Sequence, residues 1–240
     1  MDFIPALIAI VFGYLMGSLS FTRIVTRWVN PKVDIDHVEV EIPGSQEPTK
    51  VRIMGATTAS IKLGGGVGCL IAILDALKVA VPSLFFKLAF PDQPYFLLVA
   101  TAGMVGHNFP VYYHFRGGVG LSALYGGFFV VDWVGAIVSA FAGLIFGLFM
   151  IRDMLIAYIA GMWFMIPWLW FTTHNLSHLL YALAVNLVFF LTFIPELREH
   201  IQARRSGERE MTNLMQAVPM GRGMLKIMQF FGLEKKSQDS

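Results

Sequence analysis

The chain reads as an all-α integral membrane protein of seven transmembrane helices with a small cytoplasmic β-hairpin insert. Three observations carry this class. Hydrophobic residues make up 56% of the 240 residues against 14% charged, and mean hydropathy is +0.63, a balance foreign to one or two soluble domains. The apolar residues gather into stretches near the ~20 residues that a bilayer crossing needs. Lys and Arg collect on one side of those stretches.

In chain order the stretches run Phe3–Val25, Val67–Phe90, Tyr95–Tyr113, Gly120–Val131, Trp133–Met150, Met154–Phe171 and Leu179–Ile194, the fourth being the shortest. The first follows Asp2 rather than a positive run and is succeeded by more membrane protein, so it is expected to remain as a crossing and not to be cleaved as a signal peptide. On seven crossings, sixteen of the eighteen basic residues share one face, leaving Lys87 on the other and Lys78 inside the second stretch. The positive-inside rule then puts the N-terminus outside and the C-terminus in the cytoplasm of a cell whose inner (plasma) membrane holds the chain. The net charge of +2 hides that asymmetry, and no basic-aromatic pattern of a nucleic-acid reader is present. The single cysteine, Cys69, excludes an intramolecular disulfide framework and a Cys-based metal site.

Residues 1–195 form the polytopic domain, interrupted by a polar cytoplasmic insert at 30–62, and residues 196–240 form a basic, interfacial tail. In the insert Val38, Val40 and Ile42 alternate with Glu39 and Glu41, and TKVRI follows after the turn-forming PGSQEP. This predicts a hairpin, the competing reading being a solvated loop. Because an isolated hairpin is marginal in water, it would rest on the membrane domain or on a partner. In the tail, Met224, Leu225, Met228 and Phe231 stand at helical spacing behind REHIQARRSGERE, which fits an interfacial helix on anionic lipid or a stop-transfer cluster. Pro82, Pro110 and Pro167 mark kinks or ends.

Five features could carry chemistry. GHNFPVYYHFRGGVG, Gly106 to Gly120, places glycines beside Arg116 where backbone N–H groups could converge on a phosphate, or it turns tightly between packed helices. The run Gly64-Gly65-Gly66-Val67-Gly68 could offer a helix N-terminus to an anion or allow close helix packing. It lacks the lysine and hydroxyl of a P-loop. Asp75 and Lys78 share one helical face at membrane depth, as part of a site or as a neutralising pair. His107 could act as a general base or orient the loop. Ser18, beside Gly17, could bind a hydroxyl or phosphate or bond its own backbone. His174 and His178 read as interfacial, and no hydrolase elbow is present.

Together these pieces resemble the bacterial acyl-phosphate-dependent glycerol-3-phosphate acyltransferases, a family of seven-crossing membrane enzymes. Gly17-Ser18-Leu19-Ser20-Phe21-Thr22 is similar to the family's G-S-I-P-F-G. Gly55-Ala56-Thr57, then Asp75 and Lys78, match G-A-T-N and D-x-x-K-G. Gly106-His107, Phe109-Pro110-Val111, Arg116-Gly117-Gly118 and Gly120 match G-H-x-F-P-V and K-G-G-K-G, the most specific of the three.

The resemblance implies acyl transfer from acyl phosphate to glycerol 3-phosphate to give lysophosphatidate, with no metal, no cofactor and no conventional protein base. It implies Ser18, His107 and Arg116 as catalytic candidates and Gly17, Gly55, Thr57, Asp75, Lys78, Gly117, Gly118 and Gly120 as substrate-binding candidates. Its partners would be the two substrates and membrane lipids. The chain departs from the pattern at Thr58, Ile61 and Val119, which replace an asparagine, an arginine and a lysine. It also has Leu197 and His200-Ile201 where the family has H-x-x-N-I, and Val51-Arg52-Ile53-Met54 where it has G-S-G-N. Lys50, Arg52 and Lys62 could supply replacement cations. The alternative reading is a catalytically degenerate relative serving as a binding or assembly subunit for a membrane-protein partner.

Overall fold

The computed structural model describes residues 2–33, 38–40, 49–51, 55–151 and 153–206. They form a helical bundle: α1 (Phe3–Gly17), α2 (Phe21–Val29), α3 (Ala56–Leu63), α4 (Gly65–Ala89), α5 (Tyr95–Asn108), α6 (Leu121–Val131), α7 (Trp133–Ile145), α8 (Met154–Thr173) and α9 (Leu176–Ser206). Between α2 and α3, β1 (Val38–Val40) pairs antiparallel with β2 (Thr49–Val51), with Glu39 opposite Lys50. The turn expected between them, the cations considered at Lys50 and Arg52, and the helix expected around Met224 to Phe231 fall on side chains or segments outside the described residues.

The helix limits have local causes. Ser20 caps α2 by accepting from the Arg23 amide at 3.5 Å. Asp132 caps α7 through the Gly135 amide at 2.8 Å, and Asp153 caps α8 through the Leu155 and Ile156 amides at 2.9 and 3.1 Å, each satisfying donors that a helix start leaves open. A single glycine, Gly64, separates α3 from α4 with φ +94°. After Ile145 the helix widens into a π-helical turn at Phe146–Ile151.

By length and composition alone, the structure supports five of the seven expected crossings. Among the described residues five stretches are long and apolar enough to cross a membrane: Phe3–Val29, Gly65–Ala89, Trp133–Ile151, Leu155–Thr173 and Leu176–Arg198. The stretch read as Tyr95–Tyr113 yields a helix of 14 residues, because Phe109 and Pro110 end it, and the one read as Gly120–Val131 yields 11. At 1.5 Å per residue these reach roughly 21 and 16 Å, short of the ~30 Å hydrocarbon core. The first stretch also breaks within the expected crossing, since α1 stops at Gly17 and α2 starts at Phe21.

α5 lies at the centre, with Phe96, Leu97, Val99, Ala100, Gly103 and Met104 buried. It packs closely on α1: side chains added at Gly17 or Gly106 would run into the Gly103 and Tyr14 carbonyls, so two helix backbones touch where small residues permit it. The main core joins α5 to α6, α8 and α9 through Leu124, Phe128, Met162, Met165, Phe189 and Phe193. Many large apolar side chains of the outer helices, among them Phe3, Phe85, Phe141 and Leu187, remain exposed, as expected where lipid is the solvent.

Candidate functional site

One end of this bundle gathers segments that are far apart in sequence. Ser18, Leu19, Ser20, Thr22 and Arg23 from the α1–α2 break, Gly55 from the start of α3, Asp75 and Lys78 from α4, His107 from the end of α5, and Pro110, Gly117 and Gly118 from the following loop line a cleft.

At its floor the Asp75 carboxylate and Lys78 ammonium form a buried ion pair at 2.8 Å. Lys78 also donates to the Leu19 carbonyl at 2.6 Å, which the α1–α2 break leaves without a helical partner. The His107 ring approaches the same carboxylate, with Nδ1 3.6 Å away, too long for a hydrogen bond. Lys78 has three donors, so it can hold Asp75, Leu19 and one further acceptor.

The glycine loop is bound from behind. Asn108 donates to the Val119 carbonyl at 3.0 Å and to Thr192 on α9 at 2.8 Å. Tyr14 on α1 donates to the Phe109 carbonyl at 2.9 Å. Gly120 has φ +89°, and a Cβ there would collide with the Asn108 side-chain oxygen, so only glycine fits both the backbone and the space. Gly117 is pressed against the His107 and Asn108 carbonyls in the same way.

Of the expected residues, Ser18, Gly55, Asp75, Lys78, His107, Gly117 and Gly118 come together in the cleft. Gly17 and Gly120 are buried behind it, Thr57 lies on α3 outside its lining, and the Arg116 side chain is exposed. Ser18 is fully buried and donates its hydroxyl to the Tyr14 carbonyl at 2.8 Å, so what its oxygen has left is acceptor capacity. The glycine run at 64–68 does not line the cleft; a Cβ at Gly68 would strike Ser60, which makes this glycine a packing position between α3 and α4. Among the described residues no three His, Cys, Asp or Glu side chains gather as a metal site.

Sequence reasoning does not single out Arg23, which stands there as one of many orienting cations. In the fold its guanidinium donates to the Arg116 carbonyl at 3.0 Å and lies 4.5 Å from the centre of the Tyr113 ring. The signal that could have marked it is its place: five residues after Ser18, in the first turn of a helix whose opposite face carries exposed Ile24 and Trp28.

The fold and the cleft define an integral, multi-pass membrane protein with cations, glycine amides and a buried carboxylate converging at one end of its bundle. Similarity to known proteins says which kind. A family model described as glycerol-3-phosphate acyltransferase matches residues 7–207, and the chain belongs to that family. Among curated relatives, the glycerol-3-phosphate acyltransferase of Mycoplasma capricolum is 33% identical over 139 residues, covering 55% of this chain and 49% of that protein. The enzyme so named from Thermotoga petrophila is 31% identical over 136 residues, covering 56% and 63%. The matches thus span about half to three-fifths of these relatives. The crystal structure of PlsY (YgiH), an integral membrane glycerol 3-phosphate acyltransferase in its lysophosphatidic acid form, superposes with a TM-score of 0.68 at 25% identity, covering 83% of this chain and 93% of that one. Its glycerol 3-phosphate form shares the fold equally, at 24% identity.

Proposed function

We propose that this chain transfers an acyl group from acyl phosphate to glycerol 3-phosphate, giving lysophosphatidate and inorganic phosphate. The observation that carries the reading is the meeting, in one cleft, of the residues that the three family motifs supply: Ser18, Gly55, Asp75 with Lys78, His107, and Gly117 with Gly118. The names of the relatives support it from outside the geometry.

In this reading a glycerol hydroxyl oxygen attacks the acyl carbonyl carbon, the carbonyl collapses, and the bond from that carbon to the phosphate oxygen breaks. The departing phosphate takes the hydroxyl proton, so the chain must chiefly hold two anions in line and stabilise the oxyanion between them. Lys78 serves as a fixed cation, kept in place by Asp75 and the Leu19 carbonyl. The 117–118 backbone offers donors uncovered by side chains, His107 orients the floor of the cleft, and Ser18 accepts from a substrate hydroxyl. The Arg116 carbonyl holds Arg23, and Thr57 and Gly17 shape the surroundings of the cleft. Purified protein given acyl phosphate and labelled glycerol 3-phosphate should form labelled lysophosphatidate. Absence of product, with the protein folded and both substrates intact, would sink the assignment.

We infer further that the bundle crosses the inner membrane seven times, N-terminus outside and C-terminus in the cytoplasm, with the paired strands of the 30–62 insert and the 196–240 tail on the cytoplasmic face. The support is the one-sided Lys and Arg distribution and the enclosure of α5 by its neighbours, since a helix surrounded by protein does not need to match the lipid thickness. A C-terminal reporter active only in the cytoplasm tests the orientation.

A further inference from the structure

We propose that Arg23 is the phosphate-binding cation of this chain, in place of the lysine that the family pattern sets at position 119. The assignment rests on the acyl-transfer reading and adds a binding residue to it. Position 119 cannot fill that role, because the Val119 side chain packs against the main core and its carbonyl accepts from Asn108. The family's other lost cation falls at Ile61, on α3. The loop's own basic residue, Arg116, exposes its side chain and offers its carbonyl instead.

Arg23 reaches the loop from the other wall. It lines the cleft together with Gly117 and Gly118, half-buried, and its contacts include the 3.0 Å bond to the Arg116 carbonyl and the Tyr113 ring face 4.5 Å from its central carbon. Both anchors belong to residues 113–116, immediately before the glycines, so the guanidinium is held next to the bare backbone of the loop. A guanidinium has five donors in a rigid fork and can hold a carbonyl and a phosphoryl group together. The ring contact favours a planar, weakly hydrated cation over an ammonium. The ligand is a phosphoryl dianion, carried by either the acyl phosphate or glycerol 3-phosphate.

The test uses the purified full chain and the variants Arg23→Gln and Arg23→Lys. Calorimetry with inorganic phosphate and with glycerol 3-phosphate is set beside KM and kcat for each substrate. Arg23→Gln keeps a donor for the Arg116 carbonyl but no charge. It is expected to weaken binding of the phosphoryl ligand and raise KM for the substrate that carries it at least about tenfold, the loss of one charge-assisted contact, with Arg23→Lys between the two. The substrate whose KM rises identifies the source of the phosphoryl group. Binding and both KM values unchanged within about twofold overturn the assignment, and with product still formed they leave the acyl-transfer reading intact. Arg23-dependent phosphate binding without any lysophosphatidate has the opposite meaning. Should Arg23→Gln not fold, phenylglyoxal modification of the unaltered protein decides: protection of Arg23 by phosphate supports the assignment, and equal modification with and without phosphate overturns it.

Discussion

Removing Asp75 and Lys78 singly and together separates what the buried pair does for the fold from what it does for the cleft. The two residues are 3% and 5% exposed, and their charged groups are 2.8 Å apart. Asp75→Leu leaves a buried ammonium without its carboxylate, which costs about 3–5 kcal/mol, or roughly 6–20 °C of midpoint in a chain of this length. Lys78→Met strands the carboxylate at a similar cost and also frees the Leu19 carbonyl, worth about a further 1–3 kcal/mol. The double variant has no buried charge, so only the cost at Leu19 remains. It should therefore unfold several degrees above either single variant, in detergent, by intrinsic fluorescence or near-UV circular dichroism. Lysophosphatidate formation should be lost in all three, since the double variant keeps the fold but not the fixed cation. Strictly additive costs would show that the pair is not coupled, and a stable double variant with normal turnover would show that it only fixes helix packing.

Gly120→Ala must adopt φ near +89° and push the Asn108 side chain aside; a loss of at least about 1–2 kcal/mol and of most activity is expected, read from the thermal midpoint and product formation. Gly66→Ala, within α4 and with nothing within 4 Å of a Cβ, should be neutral or stabilising by about 0.5–1 kcal/mol with unchanged KM values, and a raised KM would return the glycine run to the site. Asn108→Leu removes bonds to Val119 and Thr192 and should cost about 1–3 kcal/mol, with Thr192→Val milder in the same melting assay. At the opposite end Lys87 donates to the Val130 and Val131 carbonyls; Lys87→Met should lower the midpoint by the equivalent of about 1–3 kcal/mol while leaving both KM values in place.

The membrane class was legible in composition because lipid demands apolar surface over whole segments, and the family was legible because the glycines and prolines of 106–120 occur in an order that packing alone does not dictate. Helix limits were less legible. Hydrophobicity continues through Ser18 to Ser20, so it could not register a break whose cause is three-dimensional: Gly17 has to touch Gly103, and the freed Leu19 carbonyl finds Lys78. For α5, apolar character ran on to Tyr113, whereas the helix stops where Phe109 and Pro110 begin the turn. In the cleft itself Arg116 stands out in sequence because of its glycine neighbours, but a sequence cannot show that its side chain is exposed while its carbonyl accepts from Arg23. The same blindness hid Arg23, which no neighbour in sequence marks.

The interruption at residues 18–20 also sets how much helix the membrane receives. Unbroken, Phe3–Val29 would be a rod of 27 residues, about 40 Å long, overshooting a ~30 Å hydrocarbon layer by nearly two turns. The break divides that length, and its second part is α2, one side bearing Arg23 and the other Trp28, 89% exposed. A single strip of nine residues thereby serves two surfaces: it lines the cleft through Thr22 and Arg23 and leaves Ile24 and Trp28 exposed on the outside of the bundle.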